Sequence, residues 1–311
     1  MTKIHRSKRK IASSNFGIPV IYEIKKRMDV FTPRQRGLAE FILYNPETLA
    51  FFTITELAKK TNISEATIVR FCNTLGYDGY AHLVKEVQQT IQSELGTVGR
   101  FQFARSMRSE TIEKQNLSAF ERVLANEIDN LVNLMKSIKS TDFYQCVKIM
   151  MKADQICIIG CMASSCLASY FGYTLAKIFT RVFILQDHGP MTSAVYNSLG
   201  PNSLVFLISF PRYPKTTMEL GQLVSKKGVK IVTITNSPIS PIVPLATLSF
   251  FVPVGIISFV DTYAAPMALI NALITEFSER NPEETQRALK QFDEYASQES
   301  VFLKSGRRIG L

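Results

Sequence analysis

The sequence has no Cys-x-x-Cys pair, and its three histidines, His5, His82 and His188, are scattered. Zinc sites and dithiol redox centres need closely spaced ligands, so no metal and no cofactor is expected. The five cysteines (Cys72, Cys146, Cys157, Cys161, Cys166) are odd in number and sit among apolar neighbours. They read as reduced core thiols of a cytoplasmic protein. A secretory leader is not expected either: the apolar stretch from Phe16 to Tyr22 is short, and Gly17 and Pro19 interrupt it. One nearly uncharged run, Ile242 to Val260, has membrane-spanning length. Pro244, Pro253 and Gly255 break it and Asp261 closes it, so a buried strand between loops is expected and no membrane partner.

Acidic residues are also scarce at one end. Residues 1–36 hold ten Lys and Arg against Glu23 and Asp29, which accounts for eight of the ten net positive charges of the chain. Such a local excess suits a polyanion, either nucleic acid or an anionic membrane surface. The remainder is balanced, with 46% hydrophobic and 20% charged residues, which excludes a disordered chain. A length of 311 residues suits two domains at roughly 150 residues each.

Residues 1–18 are basic, Ser-rich and aperiodic, and a flexible tail is expected. Residues 19–95 carry helical patterning. Thr32-Pro33 opens a helix with the apolar stripe Leu38, Phe41, Ile42, and Asn45-Pro46 ends it. Residues 96–140 read as a helical connector with Leu124, Ile128, Leu131, Leu134, Met135 and Ile138 at helical intervals, a stripe for packing or for a partner subunit. From 141 to 281 the texture becomes α/β. Strands are expected at Ile156–Ile159, Val182–Leu185, Leu204–Ile208, Val229–Ile234 and Leu248–Val252, with helices near 165–179, 190–198, 216–227 and 262–279. This alternation implies a doubly wound parallel sheet, whose ligands bind at the carboxyl ends of the strands. Residues 282–311 read as a capped helix and a basic tail. The fold class is therefore α + α/β.

The segment Thr53 to Leu75 is the most informative. Thr53 can cap a helix bearing Ile54, Leu57 and Ala58. The turn Thr61-Asn62-Ile63 follows, and Ser64 caps a second helix. On that helix Ile68, Phe71, Cys72 and Leu75 share one face, and Gly76 supplies the stop. The opposite face is expected to show Glu65, Thr67, Arg70, Asn73 and Thr74. Two helices around a three-residue turn, with a polar second helix, form a helix-turn-helix suited to a major groove. Arg can fork onto guanine, Asn onto adenine, and Thr can meet a thymine methyl or a phosphate. Ser64 at the helix N-terminus suits a phosphate, and Lys25, Lys26 and Arg27 would add salt-dependent backbone contacts, as would Lys8–Lys10. Spacing alone is equally compatible with an ordinary helical hairpin; the basic segment upstream favours double-stranded DNA.

The run FTPRQRGLAEFILYNPETLAFFTITELAKKTNISEATIVRFCNTLGYDGY, above all ISEATIVRF and LGYDGY, resembles the N-terminal domain of RpiR/MurR-type regulators. The second half, with a strand ending in IIG, then LISFPRYPKTTMEL and GVKIVTITNSPISP, resembles their sugar isomerase (SIS) domain. The resemblance spans about residues 20–280. It implies a transcriptional regulator, not an enzyme, whose sensor takes phosphosugars through a Gly-x-Gly-x-Ser turn and a Ser-x-Ser-Gly-x-Thr loop. In this sequence Gly160 and Ser164 match the turn, and Met162 replaces its second glycine. Ser209 matches the loop's first serine, Pro211 replaces the second, and Arg212 replaces the glycine. Arg212 can hold a carboxylate or phosphate with its fork, and Lys215 adds a point charge. The expected ligand site comprises Gly160, Ser164, Ser165, Ser209, Arg212, Tyr213, Lys215, Thr216 and Thr217, with Thr235, Asn236, Ser237, Asp261 and Tyr263 nearby.

Three functions compete at this stage. A ligand-responsive transcription factor working as a homo-oligomer, dimer or tetramer, would join DNA to a small anionic effector, a phosphosugar or other carboxylate or phosphate compound. A phosphosugar aldose–ketose isomerase with an accessory DNA-binding head would need a positioned base, for which His188 and Glu219 are the nearest candidates. A basic scaffold on a lipid surface accounts least well for the helix-turn-helix pattern.

Overall fold

The computed structural model describes residues 19–44, 48–102, 104, 117–255 and 257–303. They fall into two compact units. One runs to Val123 and takes in 257–260, and the other extends from Leu124 through the last helix without that stretch. The basic segments expected at 1–18 and 304–311, and Asn45-Pro46, lie outside the described residues.

The first unit contains helices α1 (Pro19–Lys26), α2 (Pro33–Tyr44), α3 (Thr48–Phe51), α4 (Ile54–Thr61), α5 (Glu65–Leu75) and α6 (Tyr80–Glu94). Side chains close several of the helix ends. At the start of α2, the Thr32 N–H donates to Gln35 Oε1 (3.0 Å) and the Gln35 N–H reaches back to Thr32 Oγ1 (3.4 Å). The same reciprocal box opens α4, where the Thr53 N–H donates to Glu56 at 2.7 Å and the Glu56 N–H to Thr53 at 3.2 Å. These bonds hold the Glu56 carboxyl below the usual carboxylate range. Asn62, at φ 55°, ends α4, and Gly76, at φ 95°, ends α5. The stripe Ile68, Phe71, Cys72 and Leu75 is buried against Leu38, Ile42, Leu57 and Leu83, and the Phe31 and Phe71 rings lie 4.9 Å apart.

The second unit is built on five parallel strands: β1 (Gln155–Ile159), β2 (Val182–Leu185), β3 (Ser203–Ile208), β4 (Lys230–Thr235) and β5 (Leu248–Phe251). Their order is β2-β1-β3-β4-β5. The helices are α7 (Ala119–Ser137), most of which belongs to this unit, α8 (Ser140–Met151), α9 (Ser165–Leu175), α10 (Pro190–Ser198), α11 (Lys215–Ser225), α12 (Ala264–Arg280) and α13 (Pro282–Gln298). Alternation along β3 divides its side chains between two cores. Leu204, Phe206 and Ile208 pack with Met150 of α8, Phe171 of α9 and Leu273 of α12. Val205 and Leu207 pack with Val195 of α10 and Leu220 and Val224 of α11. Both faces are therefore covered, which is why the strands read as near-continuous apolar runs.

The expected strands appear, as do the expected helices that fall on described residues, within a few residues at the ends; part of the 96–140 connector lies outside the described residues. The suspect run from Ile242 becomes a short 3-10 turn and β5, and no helix among the described residues is long and apolar enough to cross a membrane. The connector stripe divides in two. Leu134 is buried with Leu131 and Ile138 against the core, whereas Leu124, Ile128 and Met135 are exposed.

The cysteines follow the expected pattern with one exception. Cys72, Cys146, Cys157 and Cys161 are buried and Cys166 is exposed. Burial pushes the thiols of Cys72 and Cys157 up to about 12 and raises those of Cys146 and Cys161. Because the thiolate is the reactive form, a native-state thiol titration at neutral pH should find Cys166 reacting quickly and the other four only on unfolding. Fast labelling of Cys157 in the native protein would contradict this packing.

Candidate functional site

The polar helix α5 is pinned at both ends. At its start, Thr55 Oγ1 of α4 donates to Glu65 Oε1 (2.7 Å). At its end, the Arg27 guanidinium donates to the Thr74 carbonyl and pairs with Glu23 at 3.1 Å. The Thr74 hydroxyl donates to the Arg70 carbonyl (2.9 Å) and receives Gln35 Nε2 (3.4 Å). A cation on the last carbonyls also suits the negative end of the helix dipole.

These bonds revise the expected DNA-binding set. Thr67 was expected on the outer face and is instead buried at 7% exposure. Its hydroxyl lies 2.9 Å from that of Ser64 and accepts from Arg70 Nη2 at 3.4 Å. Ser64 occupies the N-cap position, but its side chain meets Thr67 rather than a backbone N–H. Arg27 acts as a strut, Thr74 is half-buried and Glu65 is tied to α4, while Lys25 and Lys26 stay exposed. The face of α5 turned to solvent is Glu65, Ala66, Val69, Arg70 and Asn73. Ala66 and Val69 escaped the sequence reading because apolar residues were sought only in the core. Small apolar side chains beside Arg and Asn suit thymine methyl groups.

In the second unit the chain leaves β1 for β2 on one side and then returns to β3 on the other. This reversal makes the carboxyl ends of β1 and β3 the topological switch point, the place where such sheets take ligands. The turn at Gly160 and the loop at Ser209 follow those two strands. Gly160 is required by close approach: a Cβ there would lie 2.8 Å from the Ser164 carbonyl oxygen and 3.1 Å from Ala168 Cβ. Ser164 is buried and Ser165 half-buried in the turn that starts α9.

Ser209 continues the alternation of Val205 and Leu207, on the side of the sheet covered by α11. Thr217 lies in the first turn of α11, on the buried face with Leu220 and Val224. Both residues are fully buried; Ser209 Oγ has no hydrogen-bond partner, and the Thr217 hydroxyl has none beyond the Cys161 thiol. Cys161 lies on the same side. Burial raises its thiol, the Thr217 hydroxyl partly offsets this, and the Asp187 carboxylate adds to it. A buried hydroxyl without a partner is costly, and one at a switch point near a helix N-terminus suits a polar ligand.

Two backbone positions here are unusual. Met162 has φ 53° and Arg212 has φ 77°, the left-handed region that costs a non-glycine residue on the order of 1–2 kcal/mol. Both stand where the resemblance expects glycine, so the turn and the loop keep a glycine-like path without the glycine. Met162 is 77% exposed and Arg212 is exposed.

The remaining expected ligand residues divide. Lys215 pairs with Glu219 at 3.1 Å, and Glu219 also lies 3.3 Å from His188 Nε2. The Lys215 bond is the main cause that holds the Glu219 carboxyl below its ordinary range. Lys215, expected to add a point charge to the site, is thus opposed by a carboxylate. The Tyr213 hydroxyl donates to Asn236 Oδ1 (2.8 Å) and the Thr235 hydroxyl to Ser240 (2.8 Å). Thr216 is half-buried, and the Tyr263 ring lies 5.6 Å from that of Phe210. Among the described residues no group of His, Cys, Asp or Glu is arranged to hold a metal ion.

Residues 19–94 match the helix-turn-helix domain model of the rpiR family, and residues 149–276 match the SIS domain model. The HTH-type transcriptional regulator HexR of Pseudomonas aeruginosa is 25% identical over 240 residues, 75% of this chain and 79% of HexR. The fold also resembles the sugar isomerase domain of an RpiR transcription factor from Sphaerobacter thermophilus (TM-score 0.55, 22% identity, 57% of this chain and 99% of that one). It likewise resembles the Vibrio vulnificus NanR protein complexed with ManNAc-6P (TM-score 0.56, 22% identity, 92% of this chain and all of that one). The pinned polar helix, the 2-1-3-4-5 sheet and these matches together make the chain a member of the RpiR-type transcriptional regulators, a helix-turn-helix unit followed by a SIS domain.

Proposed function

We propose that the chain grips double-stranded DNA through α5 and adjusts that grip by binding a small anionic metabolite in the β1–β3 crevice. In this reading residues 19–95 bind DNA, 141–281 sense the metabolite, and the protein works in the cytoplasm as a homo-oligomer whose paired helices meet paired half-sites. The observation that carries the sensor assignment is the buried, unpartnered hydroxyl of Ser209 where β3 ends, beside the buried hydroxyl of Thr217. NanR, with ManNAc-6P bound, lends support as a neighbour in fold. Arg212 supplies the counter-charge for the anion, and Gly160, Ser164 and the first turn of α11 supply the close backbone approach.

On the DNA side, Arg70 and Asn73 read bases, Ala66 and Val69 pack against thymine methyls, and Lys25 and Lys26 hold the backbone. Arg70→Ala and Asn73→Ala should each weaken binding to a genomically selected site by about 1–3 kcal/mol. The circular dichroism spectrum should not change. Fluorescence anisotropy makes the measurement, and wild-type affinity in both variants would remove α5 from the interface.

Lys25→Ala and Lys26→Ala should instead weaken all sequences alike and flatten the plot of log affinity against log salt by about 0.9 each. Arg27→Ala should lower the unfolding midpoint of the first unit, because it frees the Thr74 carbonyl. If Arg27→Ala altered only the salt slope, its role as a strut would be wrong.

Arg212→Ala should abolish the response of DNA binding to metabolite while leaving DNA affinity itself intact. Titration of the DNA complex with a metabolite extract is the test, and an unaltered response would take Arg212 out of the site.

A second reading, aldose–ketose isomerisation, draws on one observation: His188 and Glu219, distant in sequence, lie 3.3 Å apart. Glu219 is a poor base there, since Lys215 holds it ionised at low pH and it remains partly exposed. Turnover of a sugar phosphate that disappears in His188→Ala would establish the isomerase reading against the regulatory one.

A further inference from the structure

We propose that the outer face of α7 is where a second copy of this chain docks, helix against helix and antiparallel, about a two-fold axis at Ile128. The proposal rests on the homo-oligomer reading and adds to it a surface and an orientation.

Helix α7 is apolar on two sides. Its inner side packs Leu131, Leu134 and Ile138 against the core of the second unit. Polar bonds fix which side faces inward. Asn130 Nδ2 donates to Thr262 Oγ1 (3.2 Å), and Asn130 Oδ1 accepts the Gly255 N–H (3.1 Å). Asn126 Nδ2 donates to the Gly255 carbonyl (3.1 Å). Rolling the helix to hide its outer side would strand these groups, and an unmade bond at a buried group is costly.

The outer side carries Leu124, Ile128, Val132 and Met135, whose exposure runs from 45% to 84%. At 100° per residue, Leu124 and Val132 lie about 40° to either side of Ile128, and Met135 about 20° away. The four therefore form one stripe along the helix. Single exposed apolar side chains are ordinary, but a contiguous row marks a docking face. A narrow row of this spacing is the kind of seam by which two helices pair.

The charges select the partner. Glu121 stands in the first turn of α7 and Lys136 in the last, and both are exposed. In an antiparallel pair about Ile128, Leu124 faces Val132 of the second copy and Ile128 faces its own counterpart. Glu121 of each copy then comes within one residue of Lys136 of the other. A parallel pair would set Glu121 on Glu121 and Lys136 on Lys136. A two-fold interface requires a patch complementary to itself, and this one is so in a single orientation. A lipid surface fits less well, because Glu121 and the exposed Asp129 would both face anionic headgroups.

A helix of 19 residues is about 28 Å long, and one such pair covers less than a standard interface of about 1,600 Å². Reversible association in the micromolar range is therefore expected.

The test follows the mass of the full chain by analytical ultracentrifugation from about 1 to 100 μM. The wild type should associate reversibly. Ile128→Asp places like charges at the axis and should raise the dissociation constant at least roughly tenfold, with an unchanged circular dichroism spectrum because the position is exposed. Cross-linking reads the orientation, in a Cys166→Ser background that removes the exposed thiol. Mild oxidation should join Ile128→Cys into a covalent dimer and leave Met135→Cys unjoined, since the two copies of position 135 lie about 20 Å apart along an antiparallel pair. Equal cross-linking at both positions overturns the antiparallel pair. An oligomer that Ile128→Asp leaves intact overturns the surface while the homo-oligomer reading stands. A wild type that stays monomeric throughout overturns both.

Discussion

A parallel sheet covered on both faces can meet a ligand only where its strands end, and that constraint organises the second unit. The order β2-β1-β3-β4-β5 fixes the place, because the chain reverses direction only at β1. Alternation along β3 then decides what waits there: Ser209 falls on the side of α11 because Val205 and Leu207 do. The apolar residues that hold the sheet together thus also place a buried, unpartnered hydroxyl at the end of β3. Packing there is tight enough that Gly160 has no room for a side chain.

Helix α5 illustrates a different economy. Its apolar stripe fixes its rotation, and polar bonds at its two ends fix its axial position. Thr55 holds Glu65 at the start, while Arg27 and Gln35 hold Thr74 at the end. Several residues expected to contact DNA therefore serve to hold the helix whose exposed face carries Arg70 and Asn73. Under the proposed function, a helix set in this way would present Arg70 and Asn73 with little conformational freedom to lose on binding, which favours specific over diffuse contacts.

The sequence was informative where burial imposes a period. The strands, the helices, the stops at Asn62 and Gly76 and the buried stripe of α5 all follow from periodicity and turn chemistry. It was less informative where a side chain sits at the edge of a face. Thr67 lies roughly a quarter turn from the centre of the buried stripe at 100° per residue, so the pattern leaves its side undecided and the hydroxyl of Ser64 settles it. Long-range bonds were invisible for another reason: Arg27 and Thr74 are 47 residues apart, and no local rule joins them. In the SIS domain, Met162 and Arg212 stand where the resemblance expects glycine, and only the backbone shows that both adopt the left-handed path themselves, with Pro211 and Pro214 on either side of Arg212.

The central claim is that one chain links occupancy of the crevice to its hold on DNA. Linkage makes this measurable without knowing the mechanism, because a coupling free energy must appear equally from either side. Effector affinity should be measured by calorimetry with the free protein and again with the protein saturated with its selected DNA site. The account predicts that DNA changes the effector Kd by the same factor by which the effector changes the DNA Kd, in the range of about 5–150-fold typical of such coupling. An effector that binds equally well with and without DNA would contradict it.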